Sequence, residues 1–287
     1  MNSNPLVSVI IPTCNRGDLL SRSIDSVLCQ TYQNLELIIV DDASQDNTQE
    51  IVKGYAEKDK RLIVVKNGRK LGKAGALNVG IGCSHGEFIS FLDDDCEFLP
   101  AKIDRGIAAM GAFSPAPSII ISNGWIEKIN GRTILSEELA SKLLTQENIF
   151  NCKYSSGDPS CWFCRRSSVQ KLRGFKSNLK LLEDVDFFFR AFLNKHPIYF
   201  LNEPLTIKHR GDGMSSISLA YLRKREEFFV ENFYFLKKHK KYCSRFLYCL
   251  GKDYLRLREK KKAKHYFWQA FLCDPLKVEY FVKMIMY

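Results

Sequence analysis

Three consecutive aspartates follow an apolar run in the segment FISFLDDDCEFLP, which spans residues 88 to 100. Adjacent carboxylates repel one another, so a cluster of this kind calls for a counter-charge. Side chains alternate along an extended chain, which would put Asp93 and Asp95 on one face and Asp94 on the other. Two carboxylates on one face suit a hard divalent cation that holds a phosphorylated ligand. The spacing predicts a metal site at Asp93 and Asp95, with an ordinary acidic turn as the alternative and a turn or supporting role for Asp94.

Two further segments could bind a phosphorylated ligand. Asp41 and Asp42 end an apolar run, where a carboxylate could accept hydrogen bonds from a base or a ribose. The alternative is a local role at the start of the next helix, where Ser44 or Asp46 could act as the cap. Gly72-Lys-Ala-Gly75 is a turn of small residues into a helix, at which backbone N–H groups and Lys73 could meet phosphate.

A pair of acidic residues, Glu183 and Asp184, begins a helix whose other face is strongly apolar. A carboxylate held on a rigid element can act as a general base. The alternative is compensation of the helix dipole, a common reason for acidic residues in a first turn. The polar loop His209-Arg-Gly-Asp-Gly-Met-Ser215 could close on a ligand or simply connect two units.

Alternating strands and helices would position these groups. Strands are predicted at 7–11, 35–40, 62–65 and 87–92, and helices at 18–28, 48–55 and 73–83. Such alternation predicts an α/β fold with a mostly parallel central sheet flanked by helices, in which ligands bind at the carboxyl ends of the strands. The segments 12–16, 41–42 and 93–95 all lie at such ends. We therefore expect them to meet at one edge of the sheet.

Composition narrows the class of protein. The chain has 287 residues, 45% hydrophobic, and contains no apolar run of the roughly 20 residues that a membrane-spanning helix needs. The first residues lack the pattern of a secretion signal, so we expect a cytoplasmic protein whose ten cysteines are reduced thiols. Cys161 and Cys164 could be half of a zinc site or a redox pair, but their aromatic neighbours favour a packed strand.

Positive charge is concentrated at the end of the chain. Residues 1–217 hold 26 Lys/Arg and 25 Asp/Glu, whereas residues 218–287 hold 17 and 7. The latter segment is aromatic-rich and predicts three helices, the last two of which could form a hairpin. Such a block indicates an anionic partner, which could be a membrane surface, nucleic acid or an acidic substrate. The alternative is a solvated helical face.

Five segments together resemble the family 2 glycosyltransferases with the GT-A fold. They are VSVIIPTCNR, LELIIVDDASQDNT, GKAGALNVGI, GEFISFLDDDCEFLP and LLEDVDFFFR. The resemblance implies a GT-A domain at 1–217, with nucleotide-sugar binding in about 1–100 and the acceptor and catalytic part in about 101–217. The basic, aromatic-rich segment 218–287 lies outside it as a helical extension.

The family resemblance also implies a chemistry: inverting transfer of a sugar from a nucleotide donor, usually a UDP-sugar, to an acceptor hydroxyl. Pro12 and Asp42 would line the nucleobase pocket, with Asp41 and Arg16 nearby. Asp93-x-Asp95 matches the DxD motif, with Asp95 as the direct ligand of Mn²⁺ or Mg²⁺ and Asp93 closer to the ribose.

Lys73 and the metal would then stabilise the departing diphosphate, and Asp184 matches the position of the catalytic base. The sequence departs from the family pattern at Cys14, where many members have an aromatic residue to stack on the base. A histidine near residue 209 often closes on the diphosphate or metal, and here the spacing suits either His209 or Arg210.

Two functions fit these features. The first is a hexosyltransferase at the inner face of a bacterial membrane, extending a lipid-linked oligosaccharide for a surface polysaccharide, with its basic segment in peripheral contact with anionic lipid. The second is a catalytically inactive GT-A-like binding protein whose basic segment engages nucleic acid or a partner enzyme. The presence of both metal and base candidates favours the first.

Overall fold

Apolar, β-branched runs form four parallel strands of the central sheet. They are β1 (Val7–Thr13), β2 (Leu35–Asp41), β3 (Leu62–Lys66) and β4 (Phe88–Phe91), in the order β3-β2-β1-β4. Every residue of β1 and β2 is buried, as expected for parallel strands covered on both faces. The sequence pattern predicts a first strand that ends at residue 11, but β1 continues through Pro12 to Thr13. Its pairing with β4 ends at Ile10, so Pro12, which lacks an N–H group, lies beyond the last β4 partner.

The computed structural model describes residues 4–128, 131–134, 142–144, 158–179, 181–209, 218–238 and 240–287. The chain separates into two compact units, one holding the described residues up to 209 and the other those from 218 onward. The predicted boundary between 217 and 218 borders a segment outside the described residues, so it stays a prediction.

Six helices belong to the part of the first unit that the structure describes. They are α1 (Gly17–Leu28), α2 (Thr48–Ala56), α3 (Gly72–Cys83), α4 (Lys102–Ala112), α5 (Arg166–Lys171) and α6 (Glu183–Leu193). In α1, Leu20, Ile24 and Val27 are buried at helical spacing and pack into the core beneath the sheet. The predicted alternation of strands and helices over the first 92 residues is confirmed.

The remaining strands make the other half of the sheet mixed. They are β5 (Cys96–Phe98), β6 (Ile119–Lys128), β7 (Gly131–Ile134), β8 (Lys142–Leu143), β9 (Trp162–Arg165) and β10 (Ile198–His209). The order continues as β4-β9-β6-β10-β5, and β9 runs antiparallel to both of its neighbours. The expected parallel sheet is therefore confined to the first four strands and the β6–β10 pair. Cys161 and Cys164 are buried, Cys164 within β9, in keeping with the packed-strand alternative.

Helices alone make up the described part of the second unit. They are α7 (Leu219–Glu231), α8 (Phe233–Lys238), α9 (Lys240–Arg256), α10 (Lys260–Cys273) and α11 (Val278–Met286). α9 and α10 form the predicted hairpin, in which Tyr248 and Phe267 pack ring to ring at 5.5 Å. Across the described residues, none of the helices combines the length and the apolar character needed to cross a bilayer.

Candidate active site

The ends of β1 and β4 meet through an arginine and a threonine. Asp94 accepts a 2.8 Å hydrogen bond from Arg16 Nη1 and a 2.9 Å bond from Thr13 Oγ1. Arg16 Nη1 also lies 3.4 Å from Asp95. The middle aspartate is thus tied to Thr13 at the end of β1 and to Arg16 before α1. β4 ends at Phe91 and Asp94 and Asp95 lie in a turn, so the extended geometry assumed for the alternation of residues 93–95 is not present.

The two outer aspartates face a common space. Single ligand atoms of Asp93, Asp95 and Cys96 lie within 4.8 Å of one another. Burial raises the pKa of the Cys96 thiol well above its ordinary value, so Cys96 stays a protonated thiol and the two carboxylates are the groups that could act as hard ligands. An oxygen donor set of this kind fits Mn²⁺ or Mg²⁺ better than a softer metal.

A lysine from a third element reaches the same carboxylates. Lys73, in the first turn of α3, lies 2.7 Å from an Asp93 carboxylate oxygen. Partial loss of hydration disfavours the charge of Lys73, whose side chain is still 39% exposed, but Asp93 outweighs this effect and raises the pKa of the lysine. The helix start itself depends on Gly72, whose φ of +79° favours glycine. The arrangement places a permanent cation next to the acidic pair.

Asp41 and Asp42, which the sequence treats almost alike, have different surroundings. Asp42 is buried, and its two oxygens accept 2.8 Å hydrogen bonds from Asn67 Nδ2, Leu71 N and Gly72 N. It therefore anchors the loop that leads into α3. One oxygen of Asp41 accepts from Ser44 N at 2.9 Å, while the other is buried without a hydrogen-bond partner in the described structure.

That difference bears on the expected roles of the two residues in the nucleobase pocket, which stay predictions. A buried carboxylate oxygen without a donor is costly and uncommon, so it marks a position where a ligand donor would be favourable. Asp41 has such an oxygen at the end of β2, whereas the carboxylate of Asp42 is committed to the protein. Pro12 is buried in β1 opposite Val40.

The acidic pair Glu183 and Asp184 forms the first turn of α6. Burial, reinforced by the neighbouring Glu183 carboxylate, raises the pKa of Asp184 to about 7, and burial also raises the pKa of Glu183. Leu182, just before the helix, has a φ of +68°, which leucine seldom adopts. Backbone strain of this kind tends to be kept at functional sites.

The next acidic residue of the helix has a different task. Asp186 is buried and lies 2.6 Å from Arg190 Nε and 2.7 Å from Lys176 Nζ. Arg190 in turn donates a 2.8 Å hydrogen bond to the carbonyl of Gly174. These bonds fasten α6 to the preceding segment, so Asp186 holds the helix, while Asp184 has no ion pair of comparable length with any residue that the structure describes.

An ion pair that the sequence did not single out completes the site. Asp158 lies 2.9 Å from Lys208 Nζ, and although burial alone would raise the pKa of Asp158, Lys208 lowers it. Asp158 also interacts electrostatically with Lys73 and Asp184. Its one local signal is Asp158-Pro-Ser160, a cap followed by proline, which forms a 3₁₀ turn. Ser160 Oγ accepts a 3.1 Å hydrogen bond from Asp93 N and so fixes the start of the acidic cluster.

His209 is engaged by glutamates on both sides. Its Nε2 lies 2.7 Å from Glu97 and its Nδ1 lies 2.6 Å from Glu127. Its backbone N–H donates to the carbonyl of Asp95 at 3.2 Å. Nδ1 is thus engaged, whereas Nε2 is buried without a hydrogen-bond partner in the described structure, although Glu97 lies close to it. The role of His209 toward a diphosphate therefore stays a prediction. Arg210, the other candidate for that role, lies outside the described residues.

The family described as "Glycosyl transferase family 2" matches residues 8–173, more than half of the chain, from the second residue of β1 through β4 and the acidic cluster. The chain belongs to glycosyl transferase family 2.

Relatives within the family extend the match over most of the chain. An uncharacterized glycosyltransferase of Rickettsia typhi is 31% identical over 240 residues, covering 82% of this chain and 73% of the relative. A second relative is the Escherichia coli UDP-Glc:alpha-D-GlcNAc-diphosphoundecaprenol beta-1,3-glucosyltransferase WfaP. It is 41% identical over 105 residues, which cover 37% of this chain and 41% of WfaP.

A solved structure confirms the fold. TarS 1–349 of S. aureus, crystallised with UDP-GlcNAc, superposes with a TM-score of 0.65 at 20% identity and covers 92% of this chain and 72% of TarS 1–349. At this identity the likeness concerns the fold alone. The chain is thus a family 2 glycosyltransferase with the GT-A fold and a helical C-terminal region, as the sequence predicts.

Proposed function

We propose that this glycosyltransferase is an inverting, metal-dependent hexosyltransferase that uses a UDP-sugar and extends a lipid-linked oligosaccharide. The observation that carries the proposal is the combination of two clustered carboxylates, Asp93 and Asp95, with a separate carboxylate, Asp184, whose pKa is raised to about 7. The first two suit a cation and a diphosphate. The third suits a proton acceptor that works near neutral pH.

Recognition of the donor begins at the ends of β1 and β2. We assign the hydrogen bond to the nucleobase to Asp41, because its buried Oδ2 has no donor among the described residues. Pro12 would line the base pocket and Arg16 would hold Asp94 in place beneath it. Asp93, the outer aspartate nearer to β4, would contact the ribose.

Asp95 and Asp93 would hold Mn²⁺ or Mg²⁺, and the bound cation would offset the charge that develops on the departing diphosphate. Lys73 contributes a second positive charge at the same place, since it already lies 2.7 Å from Asp93. A cation and a lysine fixed before the reaction stabilise a developing negative charge without reorganisation.

Asp184 would accept the proton of the acceptor hydroxyl as the hydroxyl oxygen attacks the anomeric carbon. The carbon–oxygen bond to the diphosphate breaks as the new glycosidic bond forms on the opposite face, so the anomeric configuration is inverted. Asp186 and Arg190 hold α6 in position through their 2.6 Å ion pair and thereby fix Asp184. The carboxylate of Asp184 is then held in one orientation toward the attacking hydroxyl.

The lipid-linked acceptor is supported by the kinship with WfaP, whose name specifies a diphosphoundecaprenol-linked acceptor and a UDP-glucose donor. An acceptor of this kind lies at a bilayer. We therefore place the reaction at the inner face of the cell membrane, where a nucleotide sugar and a polyprenyl-linked saccharide meet, as one step in the synthesis of a surface polysaccharide.

The test is a transfer assay with a panel of UDP-sugars, Mn²⁺ and a synthetic polyprenyl-diphosphate saccharide. We expect UDP release and a product whose anomeric configuration, measured by the proton coupling constant, is opposite to that of the donor. The control variant is Asp186→Glu, which keeps a negatively charged side chain at position 186 of α6. Retention of configuration would refute the inverting mechanism, and an equal rate after removal of divalent cations would refute the role of the metal.

A further inference from the structure

The last two helices expose an unusual amount of apolar surface. Its members are Trp268 and Leu272 of α10, Leu276 of the connection, and Val278, Val282 and Ile285 of α11. Their exposed fractions run from 40% to 91%. Scattered exposed hydrophobic residues are normal, but a contiguous patch indicates an interaction surface. We call these six residues the apolar face.

Helical geometry puts the α11 members of the apolar face on one side. Val278, Val282 and Ile285 stand at positions i, i+4 and i+7, which share one side of a helix. Tyr280, on the opposite side, is 2% exposed and packs against Tyr248 of α9 with ring centroids 4.6 Å apart. α11 is therefore docked by one side and presents the other, apolar side outward.

The α10 side continues the same surface. Phe271 packs against Phe281 of α11 at 5.2 Å and against Trp268 at 5.8 Å, so the rings connect the two helices. Lys264, Trp268 and Leu272 stand at i, i+4 and i+8, which puts a lysine in line with the two apolar residues. On α10, the apolar residues Trp268 and Leu272 therefore lie on the same side of the helix as the positively charged Lys264.

Exposed lysines flank the apolar face in the sequence. They are Lys260, Lys261 and Lys264 at the start of α10 and Lys277 before α11. Residues 260–287 contain six Lys/Arg and two Asp/Glu. Apolar residues with a basic rim match the composition of an anionic bilayer, in which aliphatic and indole side chains enter the interface and lysines meet lipid phosphates.

We propose that the apolar face and its lysines are a membrane-docking surface that binds the anionic surface of a lipid bilayer. A second copy of the chain would bring two sets of lysines together, which is unfavourable. Nucleic acid would leave the aliphatic side chains of α11 in water. This surface gives the proposed function a means of reaching a lipid-linked acceptor, but it binds lipid whether or not the enzyme is active.

The experiment is vesicle co-flotation of the full chain. We expect flotation with vesicles that contain phosphatidylglycerol, weaker flotation with pure phosphatidylcholine, and release from the former at high salt. The double variant Val282→Glu/Ile285→Glu should lower the partition coefficient by at least tenfold, because burial of each side chain contributes roughly a tenfold factor. Lys264→Gln and Lys277→Gln should each lower it about fivefold.

Val230→Glu is the matched control, since Val230 is an apolar residue of α7 that is 71% exposed and lies outside the apolar face. It should float like the unaltered protein. If no vesicle composition binds the full chain, or if the control and the double variant lose binding equally, the membrane-docking surface is wrong. A dimer in light scattering that the double variant dissolves, without vesicle binding, would instead identify a second copy as the occupant.

Donor hydrolysis in solution separates this inference from the proposed function. None of the substituted residues belongs to the proposed active site, so metal-dependent release of UDP from a UDP-sugar should be unchanged in all of them. Hydrolysis without vesicle binding would overturn the docking surface alone. Vesicle binding with hydrolysis of no nucleotide sugar would support the docking surface and count against the proposed function.

Discussion

Substitution of Asp184 by asparagine should abolish transfer while making the folded protein more stable at alkaline pH. The carboxylate is partly buried on α6 beside Glu183, and its pKa rises from 3.8 to about 7 on folding. A raised carboxyl pKa means that ionised Asp184 opposes folding. The amide has nearly the same shape but carries no charge, so Asp184→Asn removes this cost together with the base.

The magnitude follows from the size of the pKa shift. A shift from 3.8 to about 7 corresponds to at most about 4 kcal/mol in the free energy of unfolding. Because Asp184 retains some exposure, we expect about 2 kcal/mol. The sign is set by linkage: protonation of Asp184 stabilises the folded state fully below the unfolded pKa, and this contribution is lost as pH rises to about 7. The gain from Asp184→Asn is therefore largest above pH 7 and disappears near pH 4.

Urea unfolding of both proteins at about pH 4 and about pH 8.5 measures the difference in unfolding free energy. The rate of transfer by the unaltered enzyme should rise with pH and level off above about 7 as the base ionises. Asp186→Asn is the control on the same helix. It breaks the ion pairs with Arg190 and Lys176 and should destabilise the protein by about 3 kcal/mol. Full transfer by Asp184→Asn, or its destabilisation at pH 8.5, would refute the reasoning.

Other substitutions test the donor side of the site. Asp41→Asn should weaken UDP binding about tenfold in calorimetry with little change in stability, whereas Asp42→Asn should lower the free energy of unfolding by about 2 kcal/mol, because it disturbs three hydrogen bonds. If Asp42→Asn weakened UDP binding and Asp41→Asn lowered stability instead, the hydrogen bond to the nucleobase would be assigned to Asp42. Asp95→Asn should remove the Mn²⁺ dependence of UDP binding, and an unchanged titration with Mn²⁺ would contradict a metal ligand there. Lys73→Gln should lower the transfer rate about a hundredfold with a smaller effect on donor affinity, as expected of a group that stabilises the leaving diphosphate; equal losses in both would indicate a binding role only.

The local sequence pattern was sufficient to predict the fold of the first 92 residues. The alternation of apolar strands with amphipathic helices predicts β1 to β4 and the first three helices, and the parallel arrangement follows from the connections between them. It also predicts that the ends of β1 and β4 meet, which the contact between Arg16 and Asp94 confirms. These features depend on residues close in sequence and on topology rules shared by all parallel sheets.

The strand order and directions in the second half of the sheet could not be predicted from the local sequence pattern. β9 lies antiparallel between β4 and β6, and short apolar strands of this kind carry no sign of their direction or partner. The ion pair of Asp158 with Lys208 joins residues 50 positions apart and arises only because the turn before β9 packs against β10. Pairings over such separations depend on the complete sheet.

The sequence by itself determined the family, the α/β order of elements, and the set of acidic and basic residues from which a glycosyltransferase site could be built. Tertiary structure decided how those residues differ from one another. Asp41 and Asp42 are neighbours of the same type, but of their two carboxylates only that of Asp42 accepts hydrogen bonds from the loop before α3, and only that of Asp41 keeps a buried oxygen without a donor in the described structure. His209 is held by Glu97 and Glu127, residues more than 80 positions away. Hydrogen-bond partners and burial, which set the chemistry of a side chain, are properties of the packed chain and are absent from the local pattern.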